Sequence, residues 1–302
     1  MTRISSKVIR EANRVSKLLP PLLRATKNLD SAKCELQWIK RELPKNKWTE
    51  AVMRRSNYEP LQYVLGSQPF GPLDIICRRN VLIPRWETEE WVLRLSDMIR
   101  NYMEDTAHLK ILDACTGTGC ISLLLHQKVS EEANYGTNVL GFDVSSDAVT
   151  LANDNLDKNR SSWSLEKSPV TFRKSDIFHW SLQDTQESFD LIVSNPPYVT
   201  HEEYSSPMTL EGVARSVKLF EPSLALIGQF EFYEKLVDIA ISTNAKAFIF
   251  ELGSNDQVVY VERKINQLAA GWKSKIYFDT ANKIRCVLGW KKDSVWDFLE
   301  KF

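Results

Sequence analysis

Lys110-Ile111-Leu112-Asp113-Ala114-Cys115-Thr116-Gly117-Thr118-Gly119-Cys120 reads as a buried strand that runs into a glycine turn and then a helix. A strand, a Gly-x-Gly turn and a helix bring backbone close to a ligand at a helix N-terminus. Glycine serves there because a Cβ would block the approach. Taken alone, a Gly-x-Gly is weak evidence, and a mere tight turn is the lesser alternative reading. The third glycine of the dinucleotide pattern is missing, and Ile121 follows Cys120, which favours a mononucleoside ligand. Working outward, candidate strands are 110–114, 139–143, 170–173, 190–194, 247–251, 275–278 and 286–290. Candidate helices fill 87–103, 119–130, 146–158, 229–243 and 255–269. This alternation predicts an α/β domain, a mostly parallel sheet with helices on both faces. Residues 279–285 join the final two strands, and so short a connection permits only an antiparallel pair.

The strand ends carry the chemistry. Asp143 closes the second strand, where a carboxylate can accept two ribose hydroxyls. Asp176 and Ile177 follow the third strand. The acid can accept from an adenine amino group and Ile177 can pack on the ring; a helix N-cap is the alternative reading of Asp176. The fourth strand delivers Asn195-Pro196-Pro197-Tyr198. Two prolines fix φ and remove two backbone donors, so the loop presents acceptors: the Asn195 side-chain and backbone oxygens and the Pro196 carbonyl. Acceptors facing a planar –NH2 group hold its hydrogens and aim its nitrogen at an electrophile. They bind more tightly as that nitrogen turns tetrahedral and gains positive charge. Tyr198 can stack on the planar group.

The 302 residues carry 39 Lys+Arg and 39 Asp+Glu, a formal net charge of zero. That balance hides an asymmetry: residues 1–60 hold 14 basic and 6 acidic side chains, a net of +8, and the remainder carries −8. With 43% hydrophobic residues the chain has the composition of a globular protein. No stretch approaches the roughly 18 apolar residues needed to span a bilayer. Five scattered cysteines without a CxxC, and four histidines without ligand spacing, argue against a disulfide framework or a metal site. The first 29 residues are basic, Ser-containing and acid-poor, with apolar positions at helical spacing. This fits an organelle-targeting peptide and equally the first amphipathic helix of a folded domain. Residues 1–60 read as helical, with Pro44 ending one helix and Thr49 capping the next. Residues 61–86 read as a β-hairpin linker with strands at 73–77 and 81–83, and 87–302 as the catalytic domain.

The sheet resembles the class I methyltransferase fold, and Asn-Pro-Pro-Tyr after a nucleoside-binding half resembles S-adenosylmethionine-dependent amino methyltransferases. Pro60-Leu61-Gln62-Tyr63-Val64-Leu65-Gly66, Val81-Leu82-Ile83-Pro84-Arg85-Trp86-Glu87-Thr88-Glu89, Phe220-Glu221-Pro222 and Glu251-Leu252-Gly253 narrow this further. Together they resemble the HemK-type release-factor glutamine methyltransferases over roughly residues 35–290. Trp86 departs from the family's usual Pro-Arg-Pro-Glu-Thr-Glu, and Cys115 stands at the first glycine of its Asp-Leu-Gly-Thr-Gly-Ser-Gly.

The resemblance implies S-adenosylmethionine as cofactor, held by Asp113, Thr116, Gly117, Gly119, Asp143, Asp176, Ile177 and Asn195. It implies that Asn195, Pro196, Pro197 and Tyr198 hold the glutamine of a release factor's Gly-Gly-Gln motif. Pro84, Arg85 and Glu87, with Phe220, Glu221 and Pro222, would shape the peptide cleft, and the helical N-terminal domain would contact the release factor. The basic start suggests a mitochondrial matrix member acting in translation termination; a cytoplasmic bacterial enzyme is the alternative. Two other functions compete. A nucleic-acid adenine or guanine amino methyltransferase would use residues 1–60 on phosphates, but aromatic interleaving there is sparse and the catalytic portion is acidic. A non-enzymatic adaptor would have no need of an intact Asn195–Tyr198 and Asp143.

Overall fold

Apolar residues at helical spacing fold residues 4–65 into short helices around a core of their own. The computed structural model describes residues 4–103, 108–131, 136–160, 163, 168–180, 188–206, 213–268 and 271–302. Arg3 of the basic start and residue 269 of the expected helix 255–269 lie outside the described residues. Helix α1 (Ser6–Val15) is capped by Ser5, whose hydroxyl accepts from the Val8 amide. Helices α2 (Leu19–Thr26) and α3 (Leu29–Glu42) follow, the latter capped by Asn28 and stopped before Pro44. Then come α4 (Trp48–Ser56) and α5 (Leu61–Leu65). Ala12, Leu22, Leu36, Ile39 and Val52 meet in the shared core, and Arg55 grips Glu35 through Nε and one terminal nitrogen at 2.8 and 2.9 Å.

Two expectations change here. Thr49 is not the cap of α4. The Trp48 indole donates to the Leu43 carbonyl at 2.9 Å, and a 3-10 turn over Lys45–Lys47 leads straight into the helix. Residues 61–65, expected in the linker, are helical, and Leu61 and Val64 are buried in the helical core.

The hairpin is β1 (Ser67–Phe70) against β2 (Leu73–Ile76), with Phe70 opposite Leu73. Gly71, at φ +57°, makes the turn with Pro72. The expected strand at Val81-Leu82-Ile83 does not form: two of its backbone groups are bonded to side chains, and the Val81 amide turns back to the Arg78 carbonyl. The Tyr63 hydroxyl donates to the Val81 carbonyl at 2.7 Å, and the Ile83 amide donates to Glu221 Oε2 at 3.2 Å. Alternating burial of Val81 and Ile83 imitates a strand without any ladder partner.

Beyond the hairpin, α6 (Trp86–Tyr102) leads to β3 (His108–Ala114), α7 (Cys120–Leu125), β4 (Gly136–Asp143), α8 (Ser146–Asn159), β5 (Val170–Lys174) and β6 (Leu191–Ser194). Short helices α9 (His201–Ser205) and α10 (Arg215–Phe220) precede α11 (Phe230–Ser242), β7 (Ala247–Glu251), α12 (Asn255–Leu268), β8 (Trp272–Phe278) and β9 (Ile284–Lys291). The seven strands lie in the order β5-β4-β3-β6-β7-β9-β8. Pairs from β5 to β7 are parallel, and β9 is antiparallel to both neighbours, so the last strand is inserted between β7 and the edge.

Side chains alternate across this sheet with period two. Ile111, Val139, Leu191 and Ile249 pack with α6, α7 and a C-terminal turn around Trp296. Leu112, Phe142, Ile192 and Phe250 pack with α11 and α12 on the other face. The chain order reverses between β3 and β6, which opens a crevice at their carboxyl ends. The hairpin is tied to that crevice through Asn155 of α8, which accepts from the Ile76 amide at 2.6 Å and donates to the Thr118 carbonyl at 3.0 Å. Among the described residues no helix is long and apolar enough to cross a membrane. Among them, too, no three His, Cys, Asp or Glu side chains are grouped to hold a metal ion.

Candidate active site

Asp113 organises the loop after β3 from behind. It is fully buried, and its Oδ2 accepts from the hydroxyls of Thr116 at 2.7 Å and Ser122 at 2.6 Å. Burial pushes its carboxyl up to about 6, against those hydrogen bonds. With the loop so held, the Thr116 amide reaches the Phe142 carbonyl at 3.0 Å and the Gly117 amide reaches Asp143 Oδ2 at 3.0 Å. Gly117 sits at φ +55° with open space where a Cβ would stand. Gly119 caps α7 at φ +79°, and a Cβ there would lie 2.9 Å from the Phe172 ring. Cys115 adopts φ +60°, a conformation side chains resist, so this loop stores strain at its ligand-facing bend.

The loop forms one wall of a cavity of about 220 Å³. Asp143 stands at its rim and accepts from the Gly117 and Ser145 amides, one on each oxygen, which leaves a further lone pair on each for a ligand. Burial raises its carboxyl above the ordinary value. Asp176 is held below the usual carboxylate range by the Phe178 amide, with His179 adding to the effect. Ile177 and Phe232 supply apolar wall on that side, Leu82 comes from the linker, and Leu224 and Ala225 follow Pro222. Asn195 and Pro197 form the wall nearest β6. Of the eight expected cofactor residues, Gly117, Asp143, Asp176, Ile177 and Asn195 reach this cavity. Asp113, Thr116 and Gly119 shape the loop behind it.

Tyr198 turns away from the cavity. Its ring lies against Gly253, where a Cβ would come within 3.1 Å, and its hydroxyl donates to Glu251 Oε1 at 3.3 Å. Its carbonyl accepts from Gln257 Nε2 at 3.0 Å, and Gln257 Oε1 accepts from the Gly253 amide at 2.9 Å. Glu251 Oε2 accepts from the Thr88 hydroxyl at 2.7 Å and from the Trp91 indole at 2.9 Å. Burial raises the Glu251 carboxyl, with Trp91 and Thr88 opposing it. Asn195 Nδ2 donates to Thr88 Oγ1 at 3.3 Å.

A methyltransferase-domain model matches residues 105–257. The mitochondrial MRF1 N(5)-glutamine methyltransferase MTQ1 of Saccharomyces cerevisiae is 37% identical, over 96% of this chain and 90% of that protein. The release factor glutamine methyltransferase of Lactococcus lactis is 34% identical, over 74% of this chain and 76% of that protein. The chain belongs to the release-factor glutamine methyltransferase family. Among solved structures, the N-terminal domain of human METTL16 in complex with SAH superposes with a TM-score of 0.54 at 16% identity, covering 86% of this chain and 95% of that one. That likeness concerns the methyltransferase fold.

Within this family member, most of the residues expected to line a peptide cleft are engaged in contacts within the chain. A terminal nitrogen of Arg85 donates to both oxygens of buried Glu221 at 2.8 Å. Glu87 pairs with Arg285 at 3.2 Å. Phe220 packs on Tyr63, Cys77 and Ile83 beneath the Arg79 guanidinium, and Pro222 reaches the cavity wall. Arg85, Phe220 and Glu221 thus fasten the linker to the end of α10. Residue-by-residue reading missed Thr88, Trp91 and Glu251. The signal was present for Glu251: a lone acid ends Ala247-Phe248-Ile249-Phe250, a strand buried on both faces. Thr88 lies inside the Val81–Glu89 motif and Glu251 opens Glu251-Leu252-Gly253, but neither motif by itself assigns the residue a role.

Proposed function

We propose that the protein methylates the side-chain nitrogen of the glutamine in a release factor's Gly-Gly-Gln motif, with S-adenosylmethionine as donor, in the mitochondrial matrix. One observation carries the reading: Asn195 and Pro197 of the Asn195-Pro196-Pro197 loop share a cavity wall with the Gly117–Asp143 cradle. The cradle fits a nucleoside. Gly117 is open where a Cβ would intrude, Asp143 keeps lone pairs for two hydroxyls, and Ile177 offers an apolar face. Asp143 would hold the ribose and Asp176 with Ile177 the adenine. When bound, S-adenosylmethionine supplies an electrophilic methyl group on a sulfonium sulfur.

The chain's own residues prepare the nucleophile. An amide nitrogen is a poor nucleophile because its lone pair is delocalised. The Asn195 oxygen and the Pro196 carbonyl hold its two hydrogens and fix its direction. As positive charge develops on that nitrogen the two acceptors tighten, which is stabilisation specific to the transition state. The proton leaves after the new C–N bond has formed, so no base is needed beforehand.

The helical N-terminal domain serves as the release-factor docking surface in this reading. Its net +8 and exposed Trp38 and Met53 support that role. Glu59, buried between Arg54 at 2.8 Å and Arg79 at 3.0 Å, ties the helices to the linker. Mitochondrial placement is supported by the basic start and by the compartment in the yeast relative's name. Residues 1–30 fused to a fluorescent reporter should enter the matrix; cytosolic retention would refute this placement. The substrate assignment is tested by methyl transfer to a release factor and to its Gln→Ala variant.

A further inference from the structure

We infer that Thr88, Trp91 and Glu251 form a donor relay that locks the Asn195 side-chain amide with its oxygen toward the substrate. The inference rests on the reading of Asn195 as a holder of the substrate amide, and it assigns positioning residues for that reaction.

An asparagine amide has a donor end and an acceptor end of nearly the same shape. Only the oxygen end can hold an –NH2 group. The nitrogen end would point its own hydrogens at the substrate's hydrogens. The loop therefore needs something that distinguishes the two ends, and the distinction begins at Trp91.

An indole N–H can only donate, so the 2.9 Å contact from Trp91 Nε1 makes Glu251 Oε2 an acceptor. With Glu251 ionised, the same oxygen, 2.7 Å from Thr88 Oγ1, can only accept, and the hydroxyl gives it its single hydrogen. Having donated, Thr88 Oγ1 offers lone pairs alone to its other neighbour. That neighbour is the Asn195 amide at 3.3 Å, which turns its nitrogen toward Thr88 and its oxygen the other way. With the Glu251 carboxylate as the starting acceptor, each further step follows from donor and acceptor inventory.

The relay is well placed to hold. Trp91, Thr88 and Glu251 are all buried, so water does not compete for the contacts. Tyr198 closes the other Glu251 oxygen at 3.3 Å. One carboxylate therefore fixes both ends of the Asn195–Tyr198 segment. It binds α6, which follows the linker, to β7 at the far side of the crevice.

A double-mutant cycle separates this from a structural role. Thr88→Val keeps the shape and removes the acceptor. It should lower kcat on a release factor by about 10-fold, leaving the cofactor Kd and the release-factor KM within about twofold. Thr88→Ser, which keeps the hydroxyl, should restore kcat to within about twofold of the parent chain. In an Asn195→Ala background Thr88→Val should cost less than about twofold more, because there is no amide left to orient. Thr88→Ala, which cannot overpack the site, carries the same cycle if the valine variant fails to fold. Independent, multiplying losses in the double variant would overturn the relay, as would full kcat in the Thr88 variants beside an impaired Asn195→Ala. Full turnover by Asn195→Ala would remove the underlying reading as well.

Discussion

Asn195→Ala should lower kcat on a release factor by about 10²-fold, while the S-adenosylmethionine Kd moves by less than about threefold. The magnitude is that of one lost acceptor in the transition state. Asn195 and the Pro196 carbonyl divide the two hydrogens of the substrate amide, and no other side chain of the loop can substitute. Proline offers no donor or acceptor beyond its carbonyl, and the Tyr198 hydroxyl is 3.3 Å from Glu251, on the side away from the cavity. Asn195 also forms cavity wall beside the cofactor cradle, but apolar residues and Asp143 make up much of the rest. Its removal is therefore felt in turnover before affinity. Single-turnover kinetics with saturating cofactor, alongside calorimetric binding, separates the two. A large rise in Kd with unchanged turnover would mean that Asn195 serves the cofactor and leaves the glutamine to other groups.

Asp143→Ala should have the opposite signature, raising the S-adenosylmethionine Kd by about 10³-fold. Two hydroxyl donors on an ionised carboxylate contribute on the order of 2 kcal/mol each, and about 4 kcal/mol corresponds to three decades. The carboxylate also anchors the Gly117 and Ser145 amides, so its loss loosens the cradle it completes. Turnover should recover in part at high cofactor concentration. The charged form is the one that accepts hydroxyls, and burial raises the Asp143 carboxyl above its ordinary value. Affinity should accordingly fall as pH drops through that raised value, sooner than for an exposed carboxylate. Calorimetric titration across acidic pH reads both effects; a Kd within about fivefold of the parent chain's would place the ribose elsewhere.

Much of the catalytic sheet is legible because its strands are apolar runs punctuated by residues with one reason to be there. Leu112, Val193 and Ile249 lie in strands buried on both faces, and such strands read as continuous hydrophobic segments. Gly117 and Pro196-Pro197 mark bends that few other residues can make. Legibility fails where partners are distant. Val81-Leu82-Ile83 has the alternation of a strand, but Tyr63 and Glu221 take its hydrogen bonds, and Glu221 is 138 residues from Ile83. Asp113 and Thr116 read as ligand contacts from their place in the motif, yet they bond to each other beneath the loop. Thr88 and Glu251, 163 residues apart, meet only once β7 and α6 are packed, so their relay has no local pattern to betray it.

The opposite charges of residues 1–60 and 61–302 gain a physical setting in this arrangement. The basic helices do not touch the cavity. They are joined to it through Glu59, Arg79 and the linker that contributes Leu82 to its wall. Docking and chemistry can then be served by different charge regimes, since the acceptor amide itself is neutral.

The central claim is tested most directly by one incubation. The protein is mixed with methyl-labelled S-adenosylmethionine and a mitochondrial release factor, with the release factor's Gly-Gly-Gln Gln→Ala variant, and with mitochondrial RNA and DNA. Label on the release factor, absent from the Gln→Ala variant and from nucleic acid, is the predicted result. Label on RNA or DNA with none on the release factor would contradict the account.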